Sequence, residues 1–151
     1  MIISPDNFLT NGQGLYEWSP SRVLAAWDRT GSEVDWALFS GNYTKLVLMV
    51  GLPGSGKTTW LSKHADPTAL YVDAVFAYRA WRKPLIDLAI KHGILVEAVV
   101  LDTPFETLYE RNALRTENRR VPGTKLEEFR TALIREFPNK SEGFSAIRSV
   151  R

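Results

Sequence analysis

The chain has 151 residues, a formal net charge of +2, and an ordinary globular composition with 44% hydrophobic and 24% charged residues. It contains no cysteine, which excludes disulfide bonds and cysteine-ligated zinc. No stretch is apolar over the length of a membrane span, and the first residues lack the basic and apolar regions of a secretory signal. We therefore expect a single soluble, cytoplasmic domain over residues 1–151 without a membrane partner, and nothing in the sequence predicts an oligomeric state.

The first 41 residues predict a strand followed by helices. An apolar run at residues 1–3 precedes the turn signal Ser4-Pro5-Asp6-Asn7, so a brief strand is predicted to end at Asp6. Ser19-Pro20 supplies an N-cap and a first-turn proline for a helix, which Gly31 is expected to break. A second short helix is predicted over residues 33–40.

The next element is a glycine-rich stretch after a strand. Residues 46–50 are all apolar, and residues 51–58, Gly-Leu-Pro-Gly-Ser-Gly-Lys-Thr, match the phosphate-loop pattern G-x-x-x-x-G-K-[ST] at every fixed position. A helix is predicted after the loop, so that backbone N–H groups converge on phosphate oxygens at its N-terminus. Lys57 is then expected to reach the β- and γ-phosphates, and Thr58 to coordinate Mg²⁺. The motif predicts binding of ATP or a similar triphosphate through Gly51, Pro53, Gly54, Ser55, Gly56, Lys57, Thr58 and Thr59; the alternative is a glycine-rich turn without a ligand.

The second half of the chain alternates strands with helices. Strands are predicted at 69–73, 94–101 and 144–150, and helices at 77–92, 104–116 and 125–137. Trp81 is expected to face the sheet, Pro84 to bend or divide its helix, and Thr103 to open the next helix in a capping box. The alternation predicts an α/β fold with a central parallel sheet and helices on both faces.

Three predicted strands end in an aspartate, namely Asp6, Asp73 and Asp102. Ligands of open parallel sheets lie outside the carboxyl ends of the strands, so these carboxylates are predicted to lie on the rim beside the phosphate loop. The alternative for each is a turn or capping aspartate. For Asp102, which directly precedes a predicted helix, the structural role is at least equally favoured.

Arginines recur every fourth residue at Arg111, Arg115 and Arg119. If this segment is helical, the spacing places the three guanidinium groups along one face. Phosphoryl transfer requires cations around the migrating group, because charge is spread over its equatorial oxygens. We interpret the segment as a lid whose Arg111 and Arg115 contact the nucleotide; a solvated helix face is the alternative.

Several short motifs of the second half recur together in one family: Tyr71-Val72-Asp73-Ala74, Leu101-Asp102-Thr103-Pro104, Arg111-Asn112, Arg115, Val121-Pro122, Pro138 and Glu142-Gly143-Phe144. With the phosphate loop they resemble the polynucleotide 5′-hydroxyl kinases of the phage and bacterial RNA-repair type, within the P-loop kinase superfamily. The resemblance covers nearly the whole chain, but the order of segments differs. The family's counterpart of residues 3–8 lies between the phosphate-loop helix and the next strand, whereas here it comes first. We interpret residues 1–41 as a relocated acceptor segment, followed by 46–65 with the phosphate loop and 69–151 with the remaining sheet and lid.

The resemblance implies a P-loop kinase fold and ATP-dependent phosphorylation of the 5′-hydroxyl ends of DNA or RNA, with Mg²⁺ as cofactor. Asp6 matches the family's general base, Lys57 and Thr58 its triphosphate and Mg²⁺ ligands, and Arg115 its lid arginine. These positions are therefore the predicted catalytic and metal-binding residues.

The acceptor side rests on fewer signals. Phe8 and Trp18 lie in loop-like sequence, where an aromatic ring could stack on a terminal base, and core packing is the alternative. Arg22 and Asp73 are further candidate acceptor contacts. The chain departs from the family at Leu9, where the family often has an arginine.

Two other functions stay open. One is a kinase of a small hydroxylated metabolite or antibiotic on the same fold, and the other is an ATP-binding module or switch without chemistry. A GTPase would need Asn-Lys-x-Asp after a strand, but Asn139-Lys140-Ser141-Glu142 follows a proline and ends in glutamate, which argues against it.

Overall fold

Five parallel strands form one sheet in the computed structural model, which describes residues 1–151. The order across the sheet is β1-β3-β2-β4-β5, and every neighbouring pair is parallel. This order confirms the predicted α/β fold with a central parallel sheet. The strands are β1 (Ile2–Ile3), β2 (Lys45–Val50), β3 (Ala69–Asp73), β4 (Leu95–Leu101) and β5 (Ala146–Val150).

Five helices and three short 3₁₀ turns connect the strands. The proline predicted to bend or divide α3, Pro84, lies inside one continuous helix. None of the helices combines the length and the apolar composition needed to span a bilayer. The helices are α1 (Pro20–Phe39), α2 (Lys57–His64), α3 (Arg79–Lys91), α4 (Phe105–Ala113) and α5 (Gly123–Arg135), and the 3₁₀ turns are Pro5–Phe8, Glu117–Arg119 and Lys140–Glu142.

The central strand β2 is buried on both faces, which explains its uninterrupted apolar sequence. Leu46 and Leu48 belong to a core cluster formed with α1 and α3. Val47 and Met49 point to the opposite face, where they pack in a second cluster with Leu61 of α2. Helices therefore cover both faces of the sheet and fix the strand ends that form the site.

The first long helix corrects one prediction. Gly31 was expected to break it, but α1 continues without interruption to Phe39, and the separate helix over 33–40 was wrong. A glycine inside a helix costs about 1 kcal/mol. Burial of Val34 and Leu38, at 0% and 4% exposure, offsets that cost because both side chains pack into the main core.

The N-terminal strand is shorter than predicted. It ends at Ile3, and Asp6 lies in the following 3₁₀ turn, not at the strand end. Pro5 begins this turn because its fixed φ suits a helical first position. Asp6 is exposed and follows the carboxyl end of β1. Because Ile3 pairs with Val72 of β3, this end lies beside the carboxyl end of β3, where Asp73 is located.

In helix α3 the structure buries a charged residue, Arg82, and leaves the neighbouring Trp81, which was predicted to face the sheet, partly exposed. Trp81 remains 38% exposed, whereas Arg82 is fully buried. The Arg82 guanidinium donates to both carboxylate oxygens of Glu142 (2.8 and 3.1 Å) and to the carbonyl oxygens of Phe76 (2.7 Å) and Glu136 (2.6 Å). These bonds satisfy the buried charge and tie α3 to the turn before β5.

Candidate active site

The phosphate loop connects the end of β2 to the start of α2. Gly54 and Gly56 have φ values of +82° and +96°, which residues with a side chain rarely adopt. Gly56 is also the N-cap of α2. At Gly51 a Cβ would lie 2.5 Å from Ser55 Oγ. The shape of the loop therefore requires glycine at these positions, and the loop ends at the N-terminus of α2.

The polar groups inside the loop fit a phosphate ligand. The Ser55 hydroxyl is buried and has no hydrogen-bond partner, and buried polar groups ordinarily have one. Lys57 Nζ lies over the loop and donates to the carbonyl oxygens of Gly51 (2.8 Å) and Leu52 (3.3 Å). Burial lowers the pKa of Lys57, and the charges of Asp73 and Asp6 oppose this shift. A phosphate group would satisfy Ser55 and stabilise the charged lysine.

Thr58 and Asp73 form the oxygen-rich edge of the loop. Thr58 Oγ1 donates to Asp73 Oδ2 at 3.1 Å. Burial raises the pKa of Asp73, while Lys57 and the Thr58 hydrogen bond lower it. The chain has no cluster of three His, Cys, Asp or Glu side chains for a metal, but Mg²⁺ commonly uses one or two carboxylates together with substrate phosphates. The hydroxyl and the carboxylate therefore fit Mg²⁺, and Asp73, predicted as an acceptor contact, lies against the predicted metal ligand.

Asp6 lies at the same edge of the sheet as the phosphate loop, because β1, β3 and β2 are parallel neighbours. Its charge raises the pKa of both Lys57 and Asp73, so the carboxylate lies within electrostatic range of each. The pairing of β1 with β3 produces this arrangement, because it aligns the carboxyl ends of the two strands. Two predicted strand-end aspartates, Asp6 and Asp73, are thus brought together.

The third predicted strand-end aspartate lies apart. Asp102 is exposed and its carboxylate pairs with Arg151 at 3.7 Å. Its neighbour Thr103 does not cap α4, whose N-cap is Pro104. The Thr103 hydroxyl donates instead to the Ser55 carbonyl oxygen (2.8 Å) and supports the phosphate loop from the end of β4. The capping-box prediction was therefore wrong, and a supporting residue was missed.

The loop after β3 supports the phosphate loop from the other side. Gly51 N donates to the Val75 carbonyl oxygen at 3.2 Å. Phe76 is the only non-glycine residue with a positive φ, 51°. Its ring is fully buried and its carbonyl is held by Arg82, so tertiary contacts maintain a sparsely populated backbone conformation beside the site.

The three arginines do not share one helix face as predicted. The helix α4 ends at Ala113, and Arg119 lies in a separate 3₁₀ turn. Arg111 donates to the Gly54 carbonyl oxygen at 2.9 Å, and the charge of Arg115 lowers the pKa of Lys57. None of the three forms an ion pair with a carboxylate. Arg111 therefore contacts the phosphate loop and Arg115 acts on Lys57, both without a carboxylate partner, although the predicted helical geometry was wrong.

One asparagine anchors the segment that carries these arginines. Asn112 is 6% exposed and its side chain makes two hydrogen bonds with the backbone of Val121, donating to its carbonyl oxygen (2.6 Å) and accepting from its N–H (2.9 Å). These bonds close residues 112–121, the segment predicted as a lid and called the lid segment below, into a loop of fixed geometry. Sequence reasoning noted Asn112 only as part of a motif.

Tyr16 contacts the lid segment. It belongs to the N-terminal aromatic residues considered for stacking on a terminal base, but Phe8 and Trp18 were the preferred candidates. The guanidinium carbon of Arg119 lies 4.6 Å from the centroid of the Tyr16 ring, and Asn118 Nδ2 donates to the Tyr16 carbonyl oxygen at 3.5 Å. Burial raises the pKa of Tyr16, as does Asp6, whereas Arg119 and Arg115 lower it. The signal for Tyr16 was its place in a loop-like stretch, shared with several other aromatic residues.

The predicted acceptor aromatics lie elsewhere. Phe8 is half-buried against the main core, with Arg29 4.6 Å from its ring centroid. Trp18 is 64% exposed. Arg22 pairs with Glu17 at 3.4 Å. The structure thus brings none of these three side chains into contact with the phosphate loop, and their role in acceptor binding stays a prediction.

A family model described as an AAA domain matches residues 67–135. This range runs from β3 to α5 and includes Asp73 and the lid arginines, but neither Asp6 nor the phosphate loop. The family is P-loop NTPase-like and includes kinases. No curated protein matches the chain. The parallel sheet, the phosphate loop and the similarity over residues 67–135 together support a P-loop nucleotide-binding, kinase-like protein.

Proposed function

We propose that the chain transfers the γ-phosphate of ATP to the 5′-hydroxyl end of DNA or RNA. The observation that carries the proposal is the position of Asp6, whose charge acts on both Lys57 and Asp73. A kinase needs a proton acceptor beside the transferring phosphate, whereas a module that only binds nucleotide does not. An exposed carboxylate at this place therefore favours catalysis.

On the donor side, the loop N–H groups and Lys57 bind the β- and γ-phosphates. Thr58 and Asp73 would hold Mg²⁺, which when bound neutralises charge on the phosphate oxygens. Arg111 is placed by its hydrogen bond to Gly54 at the outer side of the loop. These groups orient the γ-phosphate and balance its charge.

On the acceptor side, Asp6 takes the proton of the 5′-hydroxyl as the oxygen attacks the γ-phosphorus. The bond from that phosphorus to the β–γ bridging oxygen breaks, and ADP leaves with the electron pair. Arg115 stabilises the charge on the equatorial oxygens, a role that its electrostatic effect on Lys57 supports.

The polynucleotide acceptor is supported by the resemblance and by charge. Arg115 and Arg119 have no carboxylate partner and lie on the lid beside Tyr16, where a polyanion would find cations. The relocated order of segments is part of this proposal and rests on the resemblance alone; in the structure β1 lies at the sheet edge beside β3. A segment inserted between α2 and β3 could occupy this same edge.

The test combines radiolabelled ATP with 5′-hydroxyl oligonucleotides of DNA and RNA. We expect end labelling by the wild type and a loss of about 10²- to 10⁴-fold in Asp6→Asn, with ATP affinity nearly unchanged. Asp102→Asn is the matched control, because Asp102 is also an aspartate following a strand but pairs with Arg151 outside the site. It should retain wild-type activity.

Three outcomes would count against the proposal. No labelling of any DNA or RNA by a protein that binds ATP would contradict the polynucleotide acceptor. Transfer to a small hydroxylated compound that oligonucleotides do not inhibit would favour the metabolite kinase instead. Full activity of Asp6→Asn would remove Asp6 from the role of base.

A further inference from the structure

Arg82 is a buried charge that has no direct part in the proposed reaction. It lies in α3 and is fully buried, and the Glu142 side chain with which it forms an ion pair is 3% exposed. A buried ion pair is often no more stabilising than apolar side chains of similar volume, because both charges lose their hydration. Stability alone therefore does not explain an arginine at this position, and its other hydrogen bonds indicate a further role.

One of these hydrogen bonds holds the backbone of Phe76. Arg82 Nη1 donates to the Phe76 carbonyl oxygen at 2.7 Å. Phe76 has a φ of 51°, which is unfavourable for a residue with a bulky side chain. Its ring packs edge-on against Trp27 of α1, with 5.6 Å between the ring centroids. Contacts from α3 and α1 thus hold the carbonyl and the ring of Phe76, and they keep the backbone in this conformation.

The residues just before Phe76 contact both ends of the phosphate loop. The Val75 carbonyl oxygen accepts a hydrogen bond from the N–H of Gly51, the first residue of the loop, at 3.2 Å. Asp73 Oδ2 accepts one from the hydroxyl of Thr58, the last residue of the motif, at 3.1 Å. Because the peptide group between Val75 and Phe76 is planar, the φ angle of Phe76 sets the direction of the Val75 carbonyl. The conformation that Arg82 maintains is therefore connected to the loop.

We propose that Arg82 is a positioning residue for nucleotide binding, which acts through Phe76 and Val75 on the phosphate loop. Its hydrogen bond to Phe76 directs the Val75 carbonyl towards Gly51 and keeps the end of β3 against the loop. The inference rests on the nucleotide binding of the proposed function and does not depend on the acceptor. A loop supported in this way binds phosphate with a smaller cost of ordering its backbone.

The test variant replaces both members of the ion pair, Arg82→Met together with Glu142→Met. Replacing the arginine alone would leave Glu142 buried without a partner, which is strongly destabilising, whereas the double variant removes the two charges together. Calorimetry with ADP and Mg²⁺ measures nucleotide affinity on the full chain. We expect the test variant to bind ADP about 10-fold more weakly than the wild type, because the support of the loop is lost.

The matched control is a second double variant, Lys45→Met together with Glu97→Met. This ion pair also joins two segments, at 3.2 Å, but it links β2 to β4 from the first residue of β2, at the end of that strand opposite the phosphate loop. Leu85→Ala is the control for stability, because Leu85 lies in α3 close to Arg82 and packs in the main core. It should lower the melting temperature at least as much as the test variant. Both controls should bind ADP within about twofold of the wild type.

Hydrogen exchange measures the supported contact directly. In the test variant the Gly51 N–H should exchange about 10-fold faster relative to the Val47 N–H in the middle of β2, because the acceptor of Gly51 is no longer held in place. A variant that is only less stable opens globally, so both amides would exchange faster by the same factor. Equal acceleration of the two amides would overturn the positioning role.

Steady-state kinetics separate this inference from the proposed function. In the test variant the KM for ATP should rise about 10-fold, while the KM for a 5′-hydroxyl oligonucleotide stays unchanged. Wild-type ADP affinity in the test variant, or an equal loss of affinity in Leu85→Ala, overturns the role of Arg82 even if oligonucleotides are labelled. If no oligonucleotide is labelled but ADP affinity falls in the test variant alone, the proposed function fails and the role of Arg82 is supported.

Discussion

The two sides of the site are built in different ways. The donor side is one continuous loop, and three separate segments fix its backbone by hydrogen bonds. The Val75 carbonyl oxygen accepts from the loop, and the side chains of Thr103 and Arg111 donate to it. The acceptor side is assembled from residues far apart in sequence, and Tyr16 meets the lid through a ring stacking and a 3.5 Å hydrogen bond. The phosphate-loop side is therefore preorganised, whereas the proposed acceptor side is held together by fewer contacts between distant segments.

The largest effect that tests this division is expected from Lys57→Met. Loss of the lysine removes charge stabilisation at the triphosphate and should lower transfer on the order of 10³-fold. Because Lys57 belongs to the donor side, the factor should be the same for an oligonucleotide and for a nucleoside 3′-monophosphate. The measurement is kcat/KM for both acceptors. A loss that differs tenfold between them would break the separation of the two sides.

A smaller effect is expected from Asn112→Ala, which releases the lid segment. The partly buried N–H and C=O groups of Val121 lose their partners, so unfolding should require about 1 kcal/mol less free energy. The loosened lid should lower kcat about tenfold and leave ATP affinity nearly unchanged. Denaturant unfolding and steady-state kinetics measure the two effects.

The control for this variant is Asn139→Ala. Asn139 caps the 3₁₀ turn Lys140–Glu142, so its loss should also destabilise the fold, by about 1 kcal/mol. It should not change kcat, because this turn lies outside the lid. An equal fall of kcat in both variants would show that stability alone, and not the lid, governs the rate.

The smallest effect is a dependence of stability on pH at Asp73. Burial raises the pKa of this carboxyl above 3.8 in the folded chain. Asp73 therefore stabilises the folded state only at low pH, and this contribution is lost as the pH rises through the folded pKa. Asp73→Asn retains an acceptor for Thr58 and removes the partly buried charge, so without nucleotide and metal it should melt about 2–4 °C higher at pH 7 and unchanged at pH 3.

The exposed Asp28, on α1, provides the control. Asp28→Asn should melt within about 1 °C of the wild type at both pH values. A lower melting temperature of Asp73→Asn at pH 7 would mean that attraction to Lys57 outweighs burial. It would also show that the charges of Asp73 and Lys57 stabilise each other before any ligand binds.

Local patterns predicted the donor side because its information is local. The apolar run at 46–50 and the glycines after it suffice to define the strand, the turn and the start of α2. The strands β3 and β4 were found for the same reason, since four of the 5 residues of β3 and six of the 7 residues of β4 are apolar. Gly31 misled the prediction because the cost of a helical glycine is small compared with the burial of the flanking turns.

The acceptor side and the supports of the loop could not be predicted, because their contacts join distant segments. Thr103 has the sequence context of a helix N-cap, but its hydroxyl donates to the carbonyl oxygen of Ser55, 48 residues away. Tyr16 and Asn118 are 102 residues apart. Arg82 looks like a surface residue until Glu142 is brought to it by the fold. The sequence predicted from topology that Asp6 lies near the phosphate loop. It did not predict the 3₁₀ turn after β1, which sets the position of Asp6.

The short pairing of β1 has a consequence for how the site opens. This edge strand pairs with β3 through Ile2 and Ile3, with further backbone hydrogen bonds from and to Met1, so few contacts hold it and local unfolding could separate it at less than the global free energy. Such an opening would withdraw Asp6 while the phosphate loop stays formed. Under the proposed function, the population of molecules able to transfer phosphate would then be smaller than the population able to bind nucleotide. An acceptor that contacts both Asp6 and the lid segment would raise the first population by binding to the closed state.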